Sequence, residues 1–397
     1  MRPTVKRSVL LAVTAGLLLA IVLGACVTIQ RTSRSNTPEG VPQDLAKVWE
    51  AYAALQKNYV DKAKLDPKKL SDGAIKGMLQ TLNDPFLAYI DSTNFEQRIE
   101  GTDGDFEGIG ATVAMKDGAP TIVAPIRGAP ADKAGLKAGD VIVKVEGQSL
   151  EGLSLQDVVN KIRGPKNTPV SITVQRAGSD APSDVTIVRA LVSFPSVSSE
   201  MLTDGIARVR IAQFARKTGA ELQTELERLK DQHVKGIILD LRGNPGGLVD
   251  VVIDVASQFL KDGLVGYEID SAGKRKDWKV KDGGLFTDVP MAVLVNGASA
   301  SGSEVVAGAF QAQGRGRLIG AQTFGKGVVN APVRLADGSG IYITTATWYT
   351  PSGKQIGSVG LTPDVLVDRT IDDLRAGKDP QIDKALELVK DAVVVHS

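Results

Sequence analysis

The 397-residue chain has a single cysteine, Cys26, so neither a disulfide framework nor a cysteine-based metal site can form within one chain. Histidine is nearly as scarce. His233 and His396 are the only two, and because His396 is the penultimate residue, a Ser-His triad would have to use His233. An excess of one charge is also missing. Lys+Arg number 47 and Asp+Glu 46, a formal charge of +1, which gives no global field of the kind nucleic-acid binding requires, so nucleic acid is set aside. There is no long hydrophobic run that reads as an ordinary membrane span: the apolar stretch from Val9 to Leu23 is too short for one.

That stretch does have the form of a signal h-region, preceded by the positive residues Arg2, Lys6 and Arg7. Leu23-Gly24-Ala25-Cys26 is compatible with a bacterial lipoprotein cleavage box, with Cys26 as the lipidation candidate, and equally with an uncleaved signal anchor. Either reading tethers the body outside the cytoplasm. With 43% hydrophobic residues the chain can build real cores, and its length predicts two or three compact units. The expected division is a signal peptide or anchor over 1–26, a polar linker over 27–42, a helical segment over 43–100, a small β-rich domain over 105–190 and a larger α/β unit over 195–397.

Helical spacing of Leu45, Val48, Tyr52, Leu55 and Tyr59 predicts a first helix, and Asp66-Pro67 followed by Leu70 to Leu82 a second. From Phe106 to Gly178 short β-type runs at Thr121–Pro125, Val141–Val145 and Val170–Val174 alternate with glycines, with a helical piece at Leu155–Ile162. Gly108-Ile109-Gly110-Ala111, then Ala134-Gly135-Leu136-Lys137-Ala138-Gly139-Asp140, resemble a PDZ domain. Such a loop points backbone N–H groups at a terminal carboxylate while the adjacent strand edge takes up an extended peptide.

In the last unit the buried strand Gly236–Leu241 runs into Arg242-Gly243-Asn244-Pro245-Gly246-Gly247 and an amphipathic helix, and Met291–Val295 runs into Asn296–Ser303 and a helix of small apolar residues. This recurrence predicts a largely parallel sheet whose two crossovers, at the carboxyl ends of strands, face one site. On its own stretch, Ser301-x-x-Glu304 reads first as a capping box, and Lys326 between Gly325 and Gly327 reads first as a solvated turn lysine. A serine without a usable histidine can nevertheless be activated by a lysine whose charge burial disfavours, and Ser-Lys pairs are a known variant of the triad logic. Gly320-x-x-x-x-Gly325-Lys326 approaches a phosphate-binding P-loop but lacks the Ser/Thr and the following helix, so no nucleotide is expected.

Asp240-Leu241-Arg242-Gly243-Asn244-Pro245-Gly246-Gly247, Ser299-Ala300-Ser301-Gly302-Ser303-Glu304, Thr323-Phe324-Gly325-Lys326-Gly327 and Gly360-Leu361-Thr362-Pro363-Asp364 resemble, in order, motifs of the C-terminal processing peptidases, or tail-specific proteases. The resemblance implies an α/β fold with a crotonase/ClpP-like catalytic core, a PDZ domain and an N-terminal helical segment. It also implies a serine endoprotease with Ser301 as nucleophile, Lys326 as general base and the N–H groups of Gly247 and Gly302 as oxyanion donors. Gly108, Ile109, Gly110 and Ala111 would bind the free, apolar C-terminus of a protein or peptide substrate. No cofactor or metal is implied, and a homo-oligomer is compatible with the pattern; the leader leads to an expected location outside the cytoplasm, in periplasm or cell envelope, membrane-tethered or secreted. Two positions depart from the family. Ala312 stands where many members carry aspartate, and Asn330 where members have a glutamine that orients the lysine, so a longer or water-borne bond from Lys326 to Asn330 is expected. These departures are the support for a rival reading, a catalytically silent PDZ adaptor on a protease scaffold. An acyl-CoA enzyme on a crotonase-like sheet would leave the PDZ and Ser-Lys features without a purpose.

Overall fold

A computed structural model describes residues 42–396, apart from 93, 97–104, 117, 127, 154, 180, 194, 371 and 374–375. The expected leader, with Cys26, and nearly all of the linker lie outside the described residues. Among those described, no helix is long and apolar enough to cross a membrane. The chain divides into two compact units at Asp84/Pro85.

The first unit holds two helices, α1 (Gln43–Asn58) and α2 (Pro67–Gln80). Asp66 caps α2, its carboxylate accepting from the N–H groups of Lys68 (2.9 Å) and Lys69 (3.3 Å), and Pro67 occupies the first helical position, where no N–H is needed.

The second unit opens with β1 (Ala88–Ile90). Residues 43–100 were expected to form a helical segment, yet β1 is a strand. It pairs antiparallel with a strand 250 residues later, β18 below, a partner that local periodicity cannot reveal. Next come the ribbon strand β2 (Asp105–Gly108), then β3 (Ala111–Lys116), β4 (Ala119–Pro125), the turn α3 (Pro130–Lys133), β5 (Val141–Val145), β6 (Gln148–Ser149), α4 (Leu155–Ile162), β7 (Pro169–Gln175), β8 (Ser183–Val188) and β9 (Ala190–Ser193). The sheet order β3-β4-β5-β7-β8 leaves β3 as an edge strand with α4 beside it, while β2 and β9 form a separate antiparallel ribbon. The domain's core is a cluster around Ile122, Ile142, Val158 and Ile172, all buried. Asp140, fully enclosed, is bound by Arg176 Nε and Nη2 at 2.7 Å, which holds its carboxyl below the usual aspartate range despite burial.

The remaining chain forms β10 (Val197–Met201), β11 (Ile206–Ile211), α5 (Thr218–Asp231), β12 (Gly236–Asp240), α6 (Val249–Ser257), β13 (Leu264–Asp270), β14 (Arg275–Lys279), β15 (Met291–Val295), α7 (Gly302–Ala312), β16 (Arg317–Gly320), β17 (Val328–Arg334), β18 (Gly340–Tyr349), β19 (Val365–Leu366) and α8 (Pro380–His396). The main sheet runs β10-β11-β12-β15-β16-β19, parallel except for β10. Its central strands are apolar throughout because both faces are covered. Ile237, Leu239, Val293 and Val295 join α5, α6 and α7 in one core, while Ile238, Ala292 and Leu294 meet Ala385 and Val389 of α8 in another. Each Val, Leu or Ile among them contributes about 1.5–3 kcal/mol by leaving water. A second, antiparallel sheet is built on β1, β18, β13, β14 and β17. Because β12 and β15 are parallel neighbours, the loops that follow them leave from the same end of the sheet.

Candidate active site

The two crossovers are tied together by Asn244, which is fully buried. Its Nδ2 donates to Ile211 O (3.0 Å), its Oδ1 accepts from Gly246 N (2.9 Å), and its carbonyl accepts from Ala300 N (3.0 Å) and Ser303 Oγ (2.8 Å). Ser299 Oγ donates to Leu241 O at 2.8 Å and accepts from Asn296 N at 3.0 Å. Thus two of the three serines in the run, Ser299 and Ser303, are sealed inside the structure and already committed to holding the loops. Ser301 alone of the three lines a cleft of about 750 Å3. Its φ of 54° and ψ of −114° are rare for a residue with a Cβ. Such strain persists only where the surroundings enforce it, and it is concentrated at functional sites.

The same cleft is lined by Gly246, Gly247, Gly302, Lys326 and Asn330, so the residues singled out for nucleophile, base, orienter and oxyanion donors are brought to one place. Phe214 fixes the glycine loop: its N–H donates to Gly246 O and its carbonyl accepts from Leu248 N, both at 2.9 Å. Between them Gly247 has φ +154°, and a Cβ there would stand 2.1 Å from Phe214 O, so only glycine fits. Gly302 opens α7, where the first N–H groups of a helix have no partner in the helix itself. Gly108, Ile109, Gly110 and Ala111 are not among the residues that line this cleft; they run from the last residue of β2 to the first of the edge strand β3.

Glu304, fully buried, joins the serine segment to the lysine segment. Its Oε2 accepts from Ser301 N (2.8 Å) and Lys326 N (3.0 Å), and its Oε1 from Thr323 Oγ1 (2.6 Å) and Gly325 N (2.7 Å). Four donors on two oxygens satisfy the carboxylate without a cation. The bond to Ser301 N is the reciprocal half of the capping box expected from the sequence. The other three reach the lysine loop and were not foreseen, because a capping pattern says nothing about contacts some 20 residues away. Lys326 is half-buried, and its Nζ lies 5.4 Å from the centre of the Phe86 ring, within cation-π reach.

Asn330 departs from the expected geometry. Its Nδ2 donates to Phe86 O and Thr344 Oγ1, both at 3.2 Å, and its Oδ1, buried, accepts no hydrogen bond among the described residues. Among the described residues no direct hydrogen bond joins Lys326 to Asn330 Oδ1. A register shift between Val329 and Asn330 in the β17–β18 pair accompanies this, and such bulges re-aim a side chain. Ala312, the other departure, is exposed at the end of α7.

Below the glycine loop sits an ionic cluster. Arg242 forks onto Asp240 (Nε to Oδ1 2.9 Å, Nη2 to Oδ2 2.7 Å) and reaches Asp379 (2.9 and 3.0 Å) and Gln381 (2.9 Å) at the start of α8. Burial opposes the guanidinium charge, but the two carboxylates outweigh it and raise the pKa above the ordinary arginine value. Asp240 and Arg242 stand in the glycine motif, and nothing local signals that Asp379 closes on residue 242.

Three family models match the chain: Peptidase family S41 over residues 205–367, a PDZ domain over 121–176, and the activating protease CtpB N-terminal domain over 25–94. The carboxy-terminal-processing protease of Bartonella bacilliformis is 36% identical over 361 residues, covering 89% of this chain and 82% of that protein. The carboxy-terminal processing protease CtpA of Bacillus subtilis is 38% identical over 319 residues, 80% of this chain and 68% of its own. Among solved structures, a photosystem II D1 C-terminal processing protease aligns with a TM-score of 0.53 at 30% identity, covering 83% of this chain and 94% of that one. A putative S41 protease from Bacteroides fragilis, at 16% identity and a TM-score of 0.55, shares the fold. With its S41 peptidase core, PDZ domain and relatives at this level of identity, the chain belongs to the carboxy-terminal-processing proteases, a family of serine-type peptidases.

Proposed function

We propose that the chain is an exported serine endoprotease that captures the free C-terminal tail of a protein substrate on its PDZ domain and cuts peptide bonds with a Ser301–Lys326 dyad. Lys326 Nζ, in its neutral form, takes the proton of Ser301 Oγ as that oxygen attacks the scissile carbonyl. The resulting oxyanion is received by the N–H groups of Gly247 and Gly302, each such donor being worth about 3 kcal/mol of barrier. Collapse breaks the C–N bond, the leaving amine takes the proton from Lys326, and water then hydrolyses the acyl-enzyme by the same route in reverse.

The observation that carries this reading is the sorting of the serines: Ser299 and Ser303 are consumed by structural bonds, and Ser301 shares one cleft with Lys326 and the two glycines. Ser301→Ala and Lys326→Ala are each expected to abolish cleavage of an unfolded substrate. Lys326→Arg is expected not to restore it, since a guanidinium does not give up its proton; wild-type turnover by Lys326→Arg would overturn the dyad. Export and envelope tethering rest on the leader sequence, and fractionation of cells producing the chain with and without Cys26→Ala distinguishes a lipid anchor from a signal anchor.

The adaptor reading draws on Asn330, whose amide faces Phe86 instead of the lysine. Incubation of the purified body with a model substrate ending in apolar residues separates the two: an adaptor binds it and leaves it whole.

A further inference from the structure

Two tryptophans line the cleft, Trp278 on β14 and Trp348 on β18, and both are buried. They differ in what their indole N–H does. Trp278 Nε1 has no hydrogen-bond partner among the described residues, whereas Trp348 Nε1 donates to the carbonyl of Lys326 at 2.9 Å. Trp348 also donates its backbone N–H to Gly327 O at 3.1 Å. On the other side of the same residue, Lys326 N donates to Glu304 Oε2 at 3.0 Å. Both peptide groups that flank the Lys326 Cα are therefore held by buried partners. The loop also has little room to slide, since a Cβ on Gly327 would stand 2.6 Å from Gly357 N.

We propose that Trp348 is a positioning residue for the base: its indole N–H fixes the plane of the 326–327 peptide and thereby the direction in which the lysine side chain leaves the backbone toward Ser301. The inference rests on the Ser301–Lys326 reading. The backbone bond to Gly327 is one that any residue other than proline at 348 would make. The bond to Lys326 O needs a side-chain donor at the reach of an indole, so it is specific to this residue. If that donor is lost, the carbonyl is buried without its partner, and the peptide can recover a bond only by rotating. A lysine carries its amine at the end of a four-carbon stem, so a small rotation at the backbone becomes a larger displacement at Nζ, and a misplacement of about 1 Å costs on the order of 100-fold in rate.

Trp348→Phe tests this in the full chain. The expected result is a kcat lowered roughly 10- to 100-fold, with KM and the affinity of a C-terminal peptide for the PDZ domain changed less than about twofold, because the Trp348 ring, 1% exposed, offers substrate almost no surface. A second replacement separates the hydrogen bond from the packing: benzothienylalanine installed at 348 keeps the bicyclic shape and puts sulfur where the N–H was. The proposal expects it to lose kcat as Trp348→Phe does. Wild-type kcat in the sulfur analogue would show that the ring only fills space and would overturn the proposal, as would a loss confined to KM. Ser301→Ala and Lys326→Ala in the same assay keep the two readings apart. If they abolish cleavage while the sulfur analogue is fully active, only the positioning role fails; if they leave cleavage intact, the dyad itself fails.

Discussion

Two buried polar clusters lie at the carboxyl end of the parallel sheet, and they are built on opposite plans. Around Glu304 one carboxylate is satisfied by four neutral donors, three backbone N–H groups and a hydroxyl. Around Arg242 a cation is held by two carboxylates and an amide oxygen. Hydrogen bonds from backbone amides are short and directional, so the Glu304 cluster specifies where the Ser301 and Lys326 segments stand relative to each other. The fork of Arg242 on Asp240 is directional too, but the Arg242 cluster joins elements away from the dyad, the end of β12 and the start of α8. The difference teaches that geometry is assigned to the cluster touching the candidate dyad and cohesion to the one beneath it.

Glu304→Gln should break the comparison most severely. The amide keeps the shape but turns one of the two acceptor oxygens into a donor facing N–H or O–H groups, so the link between serine and lysine segments is half lost. A fall in kcat of about 100-fold is expected, larger than any loss of unfolding free energy would explain at a temperature where the variant is folded by circular dichroism. Near-normal kcat would mean that the cluster is cohesive only. Arg242→Met should act in the opposite sense. It leaves the buried Asp240 without its cation, while Asp379 keeps Arg369 at 3.2 Å, at a cost of about 3 kcal/mol in urea unfolding, and kcat well below the unfolding transition falls less than in Glu304→Gln. An activity loss exceeding that of Glu304→Gln would reverse the assignment.

The smallest effect sharpens the comparison at a third, more exposed cluster. Lys217 Nζ binds Asp105 Oδ1 and Ser193 Oγ, both at 2.7 Å, which pins the β2–β9 ribbon next to the start of α5, three residues beyond Phe214. The bond from Lys217 holds the Asp105 carboxyl below the ordinary aspartate range. Its stabilisation is thus present above the unfolded aspartate pKa and is lost as pH falls through the lower folded value. The pair is partly solvated, so the contribution is under about 1 kcal/mol. Lys217→Met should scarcely change unfolding, yet it should lower the preference for substrates with an apolar C-terminus over the same substrates with a blocked one. An unchanged preference would separate peptide capture from this tie.

Much of the fold was legible because its signals are local. The runs expected at Val141–Val145 and Leu155–Ile162 are β5 and α4 with those bounds, and the two glycine-rich crossovers meet because β12 and β15 are adjacent. What escaped reading depends on distant partners. Ser299, Ser301 and Ser303 are equivalent by type and spacing; the family resemblance singled out Ser301, but the structural bonds that commit the other two arise only in the fold. Glu304 was readable as a cap and nothing more, since its contacts with Thr323 and Gly325 arise from tertiary structure. Trp348 meets the lysine loop only because its strand joins the antiparallel sheet with β13 and β17. The bulge that turns Asn330 toward Phe86 has no sequence mark.

The sealing of Ser299 and Ser303 has a practical consequence. Their hydroxyls are beyond the reach of a reagent that enters from solvent, so a serine-directed electrophile meets one hydroxyl of the run. Folded protein should then take up a single adduct on the peptide that spans the three serines, and the fraction modified becomes a direct titration of competent molecules.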